Sequence, residues 1–170
     1  MLEFYPLTPA DEPFLWEMLY QAIYVPPGNP PMPRTILENP DIRRYVEGWG
    51  RKDDLGFLAR VDGAPVGAVW IRLFSEDQRG YGYVNEITPE LSIALLPAYR
   101  GQGLGQKLLT RLLETAQTRY PAVSLSVSPD NPAIRLYQRL GFEIITHSPS
   151  SLTLLRRLGD ERLLSHHDQL

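Results

Sequence analysis

Residues 99–109 read YRGQGLGQKLL, with Gly101, Gly103 and Gly105 falling within five positions directly before a leucine-rich stretch. Ordering glycine loses more backbone entropy than ordering any other residue, so this crowding implies a task for the main chain itself. The usual task is the close approach of backbone N–H groups to a bulky anion at a helix start. The preceding ELSIALL (90–96) is a short apolar run stopped by Pro97, which predicts a buried strand. In the following QKLLTRLLETAQTRY (106–120), Leu108, Leu109, Leu112, Leu113 and Ala116 continue from Leu104 as one apolar stripe at helical spacing. Strand, glycine loop and helix thus form the unit from which the rest of the chain is read.

Downstream, AVSLSVS (122–128) alternates Val123, Leu125 and Val127 with small polar residues, the period of a strand. NPAIRLYQRLG (131–141) predicts a short helix with Pro132 at its start and Gly141 at its stop. FEIIT (142–146) and SLTLLRRL (151–158) read as closing strands. Upstream, LGFLARV and VGAVWIRLF flank the turn DGAP (62–65), a hairpin signature followed by the polar loop SEDQRGYG (75–82).

The N-terminal part predicts a first helix in TPADEPFLWEMLYQAIY (8–24), capped by Thr8 with Pro9 at the first helical position. Leu15, Met18, Leu19, Ala22 and Ile23 form its apolar face. VPPGNPPMP (25–33) holds five prolines in nine residues and reads as a surface loop. NPDIRRYVEGW (39–49) restarts a helix with Asn39 as cap. The order predicts an α/β fold, a mixed sheet with helices on its faces. One domain is expected over residues 1–158, with 159–170 as a C-terminal tail of little pattern that reads as mobile.

Composition narrows the function. The chain has 170 residues, 43% of them hydrophobic and 22% charged, which is ordinary for a globular domain. A net charge of −3 argues against nucleic acid as a partner. The absence of cysteine excludes thiolate nucleophiles, disulfides and Cys-based zinc sites. Only three histidines occur, His147 and the adjacent His166 and His167, with no carboxylate or cysteine partners at metal-ligand spacing, so no metal site is expected. MLEFYPLTPADEPF lacks the basic start and apolar core of a signal peptide. No apolar run approaches the ~18 residues that span a membrane. A soluble, cytoplasmic protein is the simplest reading.

Three anion-binding loops compete for residues 99–109. A Walker A loop needs Lys and Ser or Thr directly after its last glycine, where this chain has Gln106-Lys107-Leu108. A dinucleotide fingerprint needs a third glycine where Gln106 stands. The pattern Arg/Gln-x-x-Gly-x-Gly/Ala is met in full by Arg100-Gly101-Gln102-Gly103-Leu104-Gly105.

From PELSIALLPAYRGQGLGQKLL through SLSVSPDNPAIRLYQRLGFEI, the chain resembles the GNAT acetyltransferase superfamily. Asn131-Pro132-Ala133, Tyr137, Gly141 and Phe142 match the family's later signature in the register Asn-x-Ala-x-x-x-Tyr. The resemblance covers roughly residues 56–158 and leaves the N-terminal part, where such enzymes vary to suit their acceptors, less determined.

The resemblance implies a mostly antiparallel central sheet with splayed central strands and acetyl-CoA as cosubstrate. Backbone N–H groups of Gly101, Gln102, Gly103, Leu104 and Gly105 would cradle the pyrophosphate. Arg100 would pair with a phosphate or lie on the surface. The open backbone of Ile93, Ala94 and Leu95 would hold the pantetheine arm, their side chains serving as core. Asn131 would bond that arm, cap its helix, or do both.

With no cysteine and no Ser-His-Asp order, direct attack of an acceptor amine is the natural chemistry. The resemblance points to Glu90, which opens the splayed strand, as the candidate base and to Glu86 as the nearby alternative, with a solvated strand-end charge as the competing role for either. The resemblance likewise makes Tyr137 the candidate acid for the departing thiolate, with core packing as its competing role. Transfer of a longer acyl group, or a non-catalytic CoA-binding module, are the alternative functions. The acceptor is an amine on a small molecule or a peptide. Residues 25–33, 48–54 and 75–86 are expected to line it, and the acidic Glu76, Asp77, Glu86 and Glu90 lean towards a cationic one. No membrane partner is expected, and family habit allows a homodimer. Trp16, Trp49 and Trp70 are expected in the core or as walls of the acceptor pocket.

Overall fold

The computed structural model describes residues 1–159; most of the expected tail, with His166 and His167, lies outside the described residues. The elements run β1 (Leu2–Pro6), α1 (Glu12–Ala22), α2 (Pro40–Arg43), β2 (Leu55–Val61), β3 (Ala64–Arg72), β4 (Glu90–Leu95), α3 (Leu104–Ala116), β5 (Ala122–Val127), α4 (Ile134–Arg139), β6 (Glu143–His147) and β7 (Leu152–Arg157). One seven-stranded sheet takes the order β1-β2-β3-β4-β5-β7-β6. Every pairing is antiparallel except β4 with β5.

The hairpin β2–β3 turns at Asp62 and Gly63, with φ of 51° and 85°. Two successive positive φ angles match the right-handed twist of the flanking strands, and the Asp-Gly pair tolerates them. Alternation along β3 then divides the core. Val69 and Ile71 face α3, whose Leu104, Leu108, Leu109, Leu112, Leu113 and Ala116 are all buried as the stripe predicts. Ala68 and Trp70 face the other way, onto Leu15, Met18 and Leu19 of α1 and the segment carrying Tyr45, Val46 and Trp49. Helices therefore cover both faces, with α4 packing on the α3 side through Tyr137.

The N-terminal part departs from the sequence expectation in four ways. β1 is an additional strand: Leu2 and Phe4 pack on the core while Glu3 and Tyr5 face solvent, a period of two in a strand too short to stand out. Thr8 precedes a single tighter turn, Pro9–Asp11, and α1 begins only at Glu12. The Asp11 carboxylate accepts the Thr8 N–H at 2.8 Å. Ala22 and Ile23 are not core residues; Ala22 is exposed and Ile23 lies past the helix end. Asn39 caps α2 as expected, its Oδ1 accepting the Asp41 N–H at 2.9 Å, but α2 is one turn long.

A buried ion pair fixes the segment between α2 and β2. Arg72, 1% exposed, donates to both carboxylate oxygens of Asp54, at 3.1 and 2.8 Å. It also donates to the carbonyls of Arg44 and Glu47, at 3.0 and 2.6 Å, and its guanidinium lies 5.4 Å from the Trp49 ring centroid. A buried cation needs this number of acceptors to offset its lost hydration. The arrangement ties residues 44–54 to the end of β3.

Candidate active site

β4 and β5 meet at one register pair, Glu90 with Ser124, supported by the Ser124 N–H on the Pro89 carbonyl at 3.0 Å. Beyond that pair β4 remains paired only with β3, from Ser92 with Trp70 to Leu95 with Gly67. The strands splay, and the edge of β4 that faces β5 is open.

Two clefts fill the opening. The larger, about 590 Å³, runs along Ile93, Ala94 and Leu95 and reaches Arg100, Gly105 and Asn131. The smaller, about 390 Å³, is lined by Glu90, Ser92, Tyr45, Tyr81, Ser126 and Tyr137 among others. Ala22, Ile23, Tyr24, Ile93, Asn131 and Tyr137 line both, so the two join as one continuous groove.

At the far end of β4 the glycine loop has the geometry its sequence implies. Gly101 and Gly103 hold φ of 73° and 81°, a region that favours glycine, and no atom lies within 4 Å of where a Cβ would sit on either. Gly103 is the residue before α3, so the N–H groups of the helix's first turn have no intrahelical acceptor. A Cβ on Gly105 would only reach ordinary contact with Leu136, at 3.7 Å. The Leu104 side chain is core, so only its backbone is available to a ligand. Gln102 turns its side chain to the Ala98 carbonyl at 3.1 Å. Arg100 is exposed, as one of its two expected roles has it, and borders the larger cleft. Its guanidinium donates to Gln21 Oε1 at 3.0 Å and to the carbonyls of Gln21 and Leu95, both at 3.3 Å, bracing the end of α1 against β4.

At the near end the carboxylate of Glu90 is 3% exposed. Its Oε2 accepts the Tyr45 hydroxyl, and its Oε1 accepts the Gly82 N–H at 2.8 Å. Burial pushes its pKa up to about 7, against the opposing pull of these two donors. Gly82 is wedged where the strands part. Its carbonyl accepts the Ser124 hydroxyl at 2.7 Å, and an added Cβ would meet the backbone of Leu125 at 2.7 Å and of Ser126 at 2.9 Å.

Tyr137 reaches the groove from α4. Its ring packs edge-on against Phe142, centroids 5.9 Å apart, and its hydroxyl has no protein hydrogen-bond partner among the described residues. Burial pushes its pKa up to about 12, so it holds its proton at neutral pH. Asn131 Oδ1 accepts the Ala133 N–H at 2.9 Å, which orders the turn leading into α4.

Glu86 is not brought to the groove. It is exposed, loosely accepts the Glu76 N–H at 3.4 Å, and lines neither cleft; Glu76 and Asp77 line neither cleft as well. Val25, Asn29, Pro31 and Met32 of the proline-rich loop wall the larger cleft, not the Glu90 cleft. Residues 48–54 line neither, and residues 75–86 contribute Tyr81 to the smaller. Trp49 and Trp70 are core, and Trp16 packs at its margin. Tyr45, Gly80, Gly82 and Ser124 were not singled out by the sequence. The one local signal was RGYGY (79–83), two glycines around a tyrosine in an otherwise polar loop. Among the described residues no three His, Asp or Glu side chains gather as a metal site.

Residues 16–142 match the sequence profile of the Acetyltransferase (GNAT) family. The chain belongs to this family. A mycothiol acetyltransferase of Streptomyces griseus is 35% identical to this GNAT chain over 102 residues, 58% of the chain and 30% of that relative. The chain thus spans about a third of the length of that curated relative. The fold matches the ribosomal-protein-S18-alanine N-acetyltransferase of Escherichia coli, with a TM-score of 0.64 at 20% identity over 93% of this chain and 94% of that one. It also matches the paia N-acetyltransferase of Thermoplasma acidophilum solved with coenzyme A, TM-score 0.65 at 18% identity over 92% and 99% of the two chains. At such identities these structures show the shared fold of the GNAT family.

Proposed function

We propose that the chain is an acetyl-CoA-dependent N-acetyltransferase acting on an acceptor amine by direct transfer. The observation that carries this reading is the parting of β4 and β5 at Glu90, with Glu90 and Tyr137 both lining the groove that opens there. The groove suits the cosubstrate. The open edge at Ile93, Ala94 and Leu95 can pair with an extended amide-bearing arm as a partial extra strand. Residues 101–105 offer backbone N–H groups and room for a pyrophosphate at the positive end of α3. Asn131 borders both clefts, and Arg100 stiffens the wall between α1 and β4.

Acetyl-CoA would supply the acetyl group, which the acceptor nitrogen takes up as the thioester C–S bond breaks. Glu90 accepts the proton that the amine gives up, and a carboxyl group titrating near 7 is matched to that task at neutral pH. Tyr137 donates its hydroxyl proton to the sulfur of the departing CoA. The 390 Å³ of the Glu90 cleft suits a small amine or the end of a peptide, and among the described residues no Lys or Arg lines it. Among the described residues no helix is long and apolar enough to cross a membrane. A cytoplasmic location, where acetyl-CoA is available, fits this reading.

The test is release of free CoA from acetyl-CoA across a panel of small amines and peptides, with mass detection of the acetylated product. Turnover with at least one amine is expected. Tight CoA binding without turnover on any amine would leave a CoA-binding module in its place.

A further inference from the structure

The partners of Glu90 come from distant parts of the chain, and one of them is held in turn. The Tyr45 oxygen accepts the Tyr81 N–H at 2.7 Å while its own proton goes to Glu90 Oε2. A phenol has one proton to give, so this arrangement directs that proton at the carboxylate. The tyrosine cannot swing away. The residue is 6% exposed, its ring sits edge-on to Phe74, centroids 5.1 Å apart, and its carbonyl accepts the Trp70 indole N–H at 3.0 Å. The loop closes tightly over the pair: a Cβ on Gly80 would lie 2.5 Å from Glu90 Oε1 and 2.6 Å from the Tyr45 hydroxyl oxygen.

The other ionisable groups around Glu90 are turned elsewhere or stand across the cleft. Arg72, its cross-strand neighbour on β3, directs its guanidinium to Asp54 and the carbonyls of Arg44 and Glu47. Tyr81 and Tyr24 line the cleft from the loops, and Tyr137 from α4. α1 offers only Leu19 and Ala22, and β5 offers Leu125, Ser126 and Val127. Its side-chain partner is Tyr45, and its backbone partner is Gly82.

We propose that Tyr45 is a positioning residue for acetyl transfer: it passes the Tyr81 N–H on to Glu90, fixes the plane of the carboxylate at the mouth of the splay, and favours its charged form there. This rests on the reading of Glu90 as the base. Without the hydroxyl, the buried carboxylate keeps Gly82 as its donor and loses the other, so its protonated form gains.

The experiment compares wild type with Tyr45→Phe, which keeps the ring and its packing on Phe74. The Glu90 carboxyl carbon is tracked by NMR against pH in 13C-glutamate-labelled protein, its resonance assigned by its disappearance in Glu90→Gln. The midpoint is expected to rise by about one pH unit in Tyr45→Phe, the size of one lost charge-assisted hydrogen bond. The acidic limb of the kcat/KM profile should move up with it, the rate should recover at high pH, and CoA affinity should hold. An unmoved midpoint overturns the proposal and leaves the base reading standing. A moved midpoint with an unmoved limb overturns the base reading, and the positioning role of Tyr45 in transfer with it. Gly80→Ala is the second variant, should Tyr45→Phe fail to fold. Its methyl pushes the carboxylate and the phenol apart and should raise the same midpoint, and no rise overturns the proposal.

Discussion

At one end of β4 the chain presents a buried side chain, and at the other it presents bare backbone. The Glu90 end is assembled from residues remote in sequence: Tyr45 after α2, Gly82 in the loop before β4 and Ser124 on β5. The Gly103 end is continuous, a loop whose positive φ angles and open surface are properties of residues 101–105 themselves. The first should fail when distant packing fails. The second should fail only when its own backbone is altered. Perturbations chosen on either side of β4 should therefore separate stability and proton transfer from CoA affinity.

The largest effect should come from the scaffold under the Glu90 end. Arg72→Met leaves the buried Asp54 carboxylate without its cation, held only by the N–H groups of Gly50 and Arg51 among the described residues, and releases the carbonyls of Arg44 and Glu47 that flank Tyr45. Urea unfolding should show a loss of about 3–5 kcal/mol, the cost of breaking a buried pair from one side. A loss near zero would mean that the Glu90 end does not depend on that anchor. Glu90→Gln comes next. Turnover should fall by roughly 10²-fold, the range of a lost general base, with CoA affinity retained in calorimetry. In wild type, kcat/KM should climb as pH rises through about 7 if Glu90 is the base, which must lose its proton to act; the variant should lack that limb.

Tyr137→Phe should cost less, about 10- to 100-fold in turnover, because a thiolate departs partly unaided. Among the described residues its hydroxyl has no protein hydrogen-bond partner to lose, so melting temperature and CoA affinity should barely change. A shifted melt with an intact rate would return Tyr137 to a packing role. The smallest effect belongs to the backbone end. Gly103→Val forces a β-branched residue to φ of 81° and fills the open space proposed for an anion. CoA affinity should fall at least ~10-fold, about 1.4 kcal/mol, with turnover at saturating CoA near wild type. A slowed rate at unchanged affinity would erase the contrast between the two ends.

Those features were legible in the sequence that depend on local geometry. The α3 stripe arises from side chains repeating at helical spacing, and all six predicted residues are buried. The hairpin arises from Asp62 and Gly63, and the open loop from glycines free to take positive φ. Glu90 was visible because it opens the strand before that loop, and Tyr137 because its spacing from Asn131 and Gly141 fits a known signature. β1 escaped because five residues at a sheet edge carry too little alternation to register.

Only the tertiary structure decided which side chains meet. Arg100, next to the glycines, is drawn to Gln21 across 79 positions, and Tyr45 reaches Glu90 across 45. Glu86 and Glu90 are the same residue type four positions apart, yet one is solvated and the other buried with a pKa near 7. Backbone angles and periodicity are properties of neighbours along the chain, and so the sequence carries them directly. A buried carboxylate's donors and its lost hydration are properties of neighbours in space, and they exist only once the sheet, the loop at Gly82 and the segment held by Arg72 have closed around it.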